Sequence, residues 1–297
     1  MTPRLGTLLT AMVTPFTPEG AADLDTAARL ARFLVEEGSD GLVVAGSTGE
    51  GSSLSDAEKL DLFAAVAGAV TVPVLAGTSS ADTARSVELT AKVAATGAAG
   101  ILATTPAYAR PNQSGIAGHL GAMADATDLP VMLYDIPSRT GRKIASATTV
   151  ALVGAHPNVV AIKDASGDLA VAAHTKAVLG DRLDLYSGDD AVTLAFLAIG
   201  GVGLVSVAAH WAGPEFAAMI HGALKGDWEG ARTFNERLAA SYEFESSEAY
   251  PNPMPARAAL RVRGLEVGEC RAPHARGDAT LAAAAAQVVG ALLAQRG

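Results

Sequence analysis

Short apolar runs rich in Val, Ile and Leu recur along the chain at intervals of roughly 20 to 30 residues, the spacing of repeated β-α units. They read TLLTAMVTPF, GLVVAGS, VPVLAGT, GILATTP, PVMLYDIP, VVAIKDA, LDLYSGD and GVGLVSVAA. Within each run apolar residues are nearly continuous rather than alternating with polar ones. That is the pattern of strands covered on both faces, as in a parallel sheet. Between the runs lie helical patterns such as DTAARLARFLVEEG and SDAEKLDLFAAVAGAV. The second opens with Ser55 and carries Glu58 three residues on, a capping box in which each side chain satisfies the other residue's backbone N–H.

Eight such strands with crossover helices predict an α/β fold, a (β/α)8 TIM barrel, over residues 1–225. An open doubly wound sheet is the alternative, weakened because no dinucleotide-binding glycine fingerprint follows the first strand. From about Gly226 the rhythm changes. DWEGARTFNERLAASYEFESS, PNPMPARAALRVRGL and an Ala-rich tail read as helices with no strand between them. Residues 226–297 are therefore expected to form a C-terminal helical appendage.

Composition narrows the class. The chain has 297 residues, 49% of them hydrophobic, which is ample for a large core. A net charge of −9 argues against nucleic acid or an anionic membrane surface as partner. The single cysteine, Cys270, excludes an intrachain disulfide framework and suits a reducing cytoplasm. The start of the chain lacks a strongly basic leader and is read as a first strand rather than a signal peptide. No uninterrupted apolar run is long enough to span a membrane. The six histidines show no metal-binding spacing, and no G-x-S-x-G elbow follows a strand.

In such a barrel the chemistry sits at the C-terminal ends of strands. In VVAIKDASGD, Lys163 stands at the end of an apolar strand, where a charged amine is costly unless paired. It could snorkel outward or pair with Asp164, or it could serve as a nucleophile in a low-dielectric pocket. GSTGE places two hydroxyl residues, Ser47 and Thr48, between glycines just before a helix. That is either a tight turn or a set of backbone N–H groups free to hold an anion. YDIPSRTG offers the Tyr134 phenol for proton transfer and the Arg139 fork for a carboxylate. Together these supply what imine chemistry on a keto acid requires: an amine, a proton shuttle and an anion site, from three strand ends.

Carrying these residues in order, the sequence resembles the dihydrodipicolinate synthase / N-acetylneuraminate lyase family of pyruvate-dependent class I aldolases. The similarity runs from GTLLTAMVTPF through GLVVAGSTGE, TTPAYARPNQSG, LYDIPSRTG, VAIKDASGD and YSGDD to PNPMPARAALRVRGL. The resemblance implies that Lys163 forms a Schiff base with pyruvate. Tyr134 would shuttle protons with Ser47 and with Tyr108 of a neighbouring subunit. Thr48 and Ser47 would bind the pyruvate carboxylate, and Val205 and Gly188 would line the site through their backbones. It implies no metal and no organic cofactor, and a homotetramer of dimers that share Tyr108.

The SRTG after Tyr134 and the RPNQSG after Tyr108 resemble the branch that condenses pyruvate with L-aspartate 4-semialdehyde on the diaminopimelate route to lysine. There Arg139 would grip the acceptor's carboxylate. Ser47 departs from that branch, which usually has threonine, and matches the lyases. This keeps open an aldolase or dehydratase acting on sugar-derived 2-keto acids. A non-catalytic keto-acid-binding barrel is the third reading. Gly51 and Ala107 depart from the synthase pattern too, and Ala107 with Asp56, Lys59, Ala81 and Arg85 predicts weak or absent inhibition by lysine.

Overall fold

The computed structural model describes residues 4–296; the outermost residues of the two expected domains, 1–3 and 297, lie outside the described residues. Eight parallel strands close into a barrel in chain order: β1 (Leu8–Ala11), β2 (Gly41–Val44), β3 (Val74–Gly77), β4 (Gly100–Thr104), β5 (Val131–Asp135), β6 (Val159–Asp164), β7 (Asp184–Ser187) and β8 (Gly203–Ser206). β8 pairs back onto β1, with Leu9 opposite Val205, so no edge is left open. The strands are short and buried on both faces, as their unbroken apolar runs require. No helix among the described residues is long and apolar enough to cross a membrane.

The pleat separates the residues of each strand into two populations. On β5, Met132 and Tyr134 join the cluster that fills the barrel, whereas Leu133 joins the outer layer under the helices. On β6, Ala161 points in and Ile162 points out. Continuing that alternation, Lys163 falls on the inner face at the C-terminal end, and Asp164 on the outer face. The barrel floor is closed by Tyr186, fully buried, whose hydroxyl donates to the Gly6 carbonyl at 2.7 Å.

The helices form as their patterns and caps dictate. Leu24–Glu36 is capped by Asp23, whose carboxylate accepts from the Thr26 N–H. Asp56–Ala67 carries the expected Ser55–Glu58 capping box, both halves present. A short 3-10 turn, Gly51–Ser53, stands between GSTGE and this helix, so the loop does not run directly into a helix N-terminus.

Past Gly226 the described residues form helices Trp228–Arg237, Ala239–Phe244, Met254–Val262 and Ala279–Ala294, with no strand. Two ion pairs tie this tail to the barrel. Arg257 is paired with Glu50 at 2.6 Å and also donates to the carbonyls of Thr14 and Val267. Arg296 is paired with Glu215 at 2.6 Å. Ala256, Ala259, Leu260, Val289 and Leu292 belong to the same apolar cluster as the barrel's own helices, so the tail shares that core.

Candidate active site

A cavity of about 170 Å³ opens at the C-terminal mouth of the barrel. It is lined by Ser47 and Thr48 after β2, Tyr134 on β5 with Ser138 and Arg139 after it, Lys163 on β6 with Ala165 after it, and Gly188 to Asp190 after β7. Val207 after β8 and Glu245, Ser246 and Asn252 from the helical tail complete it. Elements far apart in the sequence thus converge because every parallel strand ends on the same face of the barrel.

Lys163 is 4% exposed and its amine lies 4.4 Å from the centre of the Tyr134 ring, the residue directly opposite it in the β5–β6 ladder. No carboxylate among the described residues lies within ion-pair distance of that amine. Pairing with Asp164 is ruled out by the pleat, and the Asp164 carboxylate instead accepts the Ser166 N–H at 2.8 Å. Snorkelling is ruled out by burial. Position 188 must be glycine for this lysine to fit: a Cβ there would lie 2.9 Å from Ala165 Cβ and 3.0 Å from both Cγ and Cε of Lys163. The Gly188 N–H is spent on the Asp164 carbonyl at 2.8 Å, which leaves its missing side chain as its contribution.

In GSTGE, the Glu50 and Gly51 N–H groups close the turn onto the carbonyls of Ser47 and Gly46. Among the described residues, the N–H groups of Ser47 and Thr48 donate to no protein acceptor. Thr48 Oγ1 accepts from Asn252 Nδ2 at 2.9 Å, so its own hydroxyl proton is free to be donated. These donors beside Lys163 suit a carboxylate. Glu50 plays a different part, because its two oxygens take the Arg257 guanidinium and the Arg271 N–H. It ties the GSTGE loop to the tail rather than facing the cavity.

Arg139 sits in the short helix Pro137–Thr140, exposed on the rim, and donates to the Asn252 carbonyl at 3.4 Å. Asn252 therefore touches both sides of the cavity, Thr48 and Arg139. Val205 lies one layer deeper than the cavity, fully buried inside the barrel. Val207, two residues on and just past the end of β8, is the one that lines the wall. Ser47 and Tyr134 share the cavity, though no hydrogen bond joins their hydroxyls. Tyr108 stands apart from it. It is 97% exposed with φ of +68°, a backbone conformation that bulky residues rarely adopt.

Two acids went unrecognised in the sequence. Asp190 is buried; Ser206 Oγ donates to its Oδ1, and the Val207 N–H donates to its Oδ2 at 3.0 Å. Glu245 faces it from the tail, its carboxyl sealed against that of Asp190 so that the two share a hydrogen bond. Burial pushes both carboxyls up, reinforced at Glu245 by the Asp190 charge and hydrogen bond and at Asp190 by the Asp189 charge. The two donors on Asp190 favour its anion, so the shared proton belongs to Glu245. Asp190 stood in the SGDD strand end without being singled out, and nothing in the helical pattern of the tail pointed to Glu245. Among the described residues, no group of three or more His, Cys, Asp or Glu is placed to hold a metal ion.

A wider groove of about 390 Å³ lies between helices Met254–Val262 and Ala279–Ala294. Its charged groups are already engaged, Arg261 with Glu269 and Asp278 with Tyr250 and the Leu281 N–H. It has no free group with which to do chemistry.

The chain matches the profile of the Dihydrodipicolinate synthetase family over residues 4–291. It is 48% identical over 271 residues to a 4-hydroxy-tetrahydrodipicolinate synthase of Synechococcus sp. (strain CC9605), covering 90% of this chain and 89% of that one. It is 46% identical over 271 residues to the protein of the same name from Moorella thermoacetica, covering 90% of this chain and 91% of that one. The crystal structure of DHDPS from Cyanidioschyzon merolae with lysine bound superposes with a TM-score of 0.94 at 40% identity, over 98% of this chain and 99% of that one.

Proposed function

The chain belongs to the dihydrodipicolinate synthetase family, and from that premise we propose how its cavity carries out the reaction. It is a pyruvate-dependent carbon–carbon lyase that condenses pyruvate with L-aspartate 4-semialdehyde to 4-hydroxy-tetrahydrodipicolinate, on the diaminopimelate route to lysine. Relatives of that name do not favour a sugar-acid aldolase. The observation that carries the assignment of roles is Lys163: a sealed amine without a carboxylate partner, at the mouth of the barrel, against a tyrosine ring.

In this reading the Lys163 amine adds to the pyruvate ketone, and loss of water leaves an imine. The free N–H groups and hydroxyls of Ser47 and Thr48 hold the pyruvate carboxylate, which aims the ketone at the amine. Tyr134 delivers the proton that lets water leave and recovers one from the pyruvate methyl. The resulting enamine carbon attacks the aldehyde carbon of the acceptor, and the aldehyde oxygen takes up a proton to become a hydroxyl. The acceptor's amine then attacks the imine carbon, closing the ring and releasing Lys163. Arg139 takes the acceptor's carboxylate with its two-pronged fork. Gly188 makes room for the lysine stem, and Val205 packs the floor beneath it.

Tyr108 is assigned to the neighbour's cavity. An aromatic almost wholly exposed on a left-handed backbone is costly alone and suits insertion into a partner. The working unit would then be at least a dimer, within a homotetramer, in the cytoplasm, built from a barrel over 1–225 and a helical closure over 226–297. Dilution that separates the dimer should abolish activity while leaving the barrel's circular dichroism intact; a fully active monomer would contradict the shared site.

The test of the reaction is pyruvate-dependent consumption of L-aspartate 4-semialdehyde beside Lys163→Ala, with sugar aldehydes as competing acceptors. Strong preference for the semialdehyde, lost in the variant, is expected. Better turnover with a polyol aldehyde would overturn the choice of acceptor.

A further inference from the structure

The pyruvate carboxylate is held in part by the Thr48 hydroxyl, and a threonine hydroxyl has no fixed direction of its own. It turns about its C–O bond and can donate to one neighbour or accept from another. At Thr48 the helical tail makes the choice. Asn252 lines the cavity, and its Nδ2 donates to Thr48 Oγ1 at 2.9 Å in a contact closed to solvent. Among the described residues that hydroxyl donates to no protein acceptor. With one lone pair engaged, its proton points away from the amide, and a carboxylate entering the cavity is the acceptor it meets.

The amide is not needed to fasten the tail. Just past Thr48, Glu50 pairs with Arg257 at 2.6 Å and accepts the Arg271 N–H at 2.9 Å, so a buried ion pair already joins this loop to this segment. Nor does the fold recover the full cost of an asparagine here. The residue is 8% exposed and its Oδ1 is buried without a partner, a cost that an apolar side chain of the same size would avoid. Its carbonyl accepts from Arg139 Nη2 at 3.4 Å, so Asn252 stands between the groups assigned to the two carboxylates. We propose that Asn252 is a positioning residue for the keto acid: its amide fixes the Thr48 hydroxyl as a donor before pyruvate arrives. This rests on the reading of Lys163 as the imine-forming amine. A donor already aimed spares the ordering that binding would otherwise cost. Asn252 therefore governs how much pyruvate the site needs, not the rate once the site is full, and the helical tail is part of the pyruvate site.

The experiment is borohydride trapping of the pyruvate imine with no aldehyde present, read by mass spectrometry against pyruvate concentration. Wild type is compared with Asn252→Leu, which keeps the size and removes the donor, with Thr48→Val, and with the double variant. In Asn252→Leu the half-saturating pyruvate concentration is expected to rise about tenfold, with trapping at saturation retained. On the Thr48→Val background the same replacement should add less than about twofold, because no hydroxyl is left to orient. Asn252→Asp keeps the shape but can only accept, so it takes up the Thr48 proton itself. Its effect should likewise shrink on Thr48→Val, and it carries the test if the leucine variant does not fold. An unchanged half-saturation, or an equal rise on both backgrounds, overturns the positioning role and leaves the pyruvate imine standing. A wild type that traps no pyruvate overturns the imine reading, and this role with it.

Discussion

Asp135 gives the sharpest quantitative test of how this barrel's mouth is built. It follows Tyr134, on the outer face of β5, and is 1% exposed. Its Oδ1 accepts the Ile144 N–H at 3.0 Å, and Asp164 occupies the paired position on β6. Burial, reinforced by the Asp164 charge, pushes its carboxyl up to about 7 from an ordinary value of 3.8. Within that window the unfolded chain has lost the proton and the folded chain keeps it. Stability therefore falls as pH rises from about 4 to about 7, at ~1.4 kcal/mol per unit, by about 4 kcal/mol in all, and is flat above. Asp135→Asn keeps the oxygen that Ile144 bonds and removes the ionisation. The stabilisation it confers should be larger at pH 8 than at pH 5 by about 3 kcal/mol, because most of the window lies between those values. Urea unfolding followed by far-UV circular dichroism, at one protein concentration and both pH values, measures it. Equal effects at the two pH values would show that Asp135 is not held neutral, and a larger loss at pH 8 would show that the fold favours its anion.

Three further substitutions or additions probe other parts of the molecule. Gly188→Ala drives a methyl to 3.0 Å from the Lys163 stem, so activity should drop at least about tenfold for a stability cost of about 1–3 kcal/mol. Steady-state kcat beside thermal melting separates the two, and an unaffected kcat would remove the steric role of Gly188. Glu50→Gln strips the buried Arg257 of its counter-charge and should destabilise by about 3–5 kcal/mol, read as a lower urea midpoint with faster hydrogen exchange in Met254–Val262. Added lysine should not inhibit at sub-millimolar concentration. Asp56, the acid at that surface, is already held in a two-pronged pair by Arg85, and Ala107 offers no phenol; a steady-state titration decides it.

The periodic features of the fold were readable along the chain. Continuous apolar runs marked strands covered on both faces, and the Ser55–Glu58 spacing marked a helix start that forms as expected. Strand parity then carries over to chemistry. Because Tyr134 and Lys163 stand at strand ends and side chains alternate, a barrel brings them face to face without help from any loop. Ser47, Thr48, Arg139 and Gly188 were legible for the same reason, each lying within a few residues of a strand's end.

What depended on depth or on distant segments was not legible. Val205 and Val207 stand two residues apart at one strand end, and only the closed barrel decides which of them reaches the cavity. Glu50 reads as an acid beside an anion-binding turn, yet its partner lies 207 residues away and turns it into a strut. Glu245 and Asn252 belong to an irregular segment between helices, where no periodicity announces which side chain points inward. Local hydrogen bonding and apolar periodicity act between neighbours and are written into the sequence. Which acids share a proton, and which lysine lacks a counter-charge, is a property of the space that remains once the whole chain has packed.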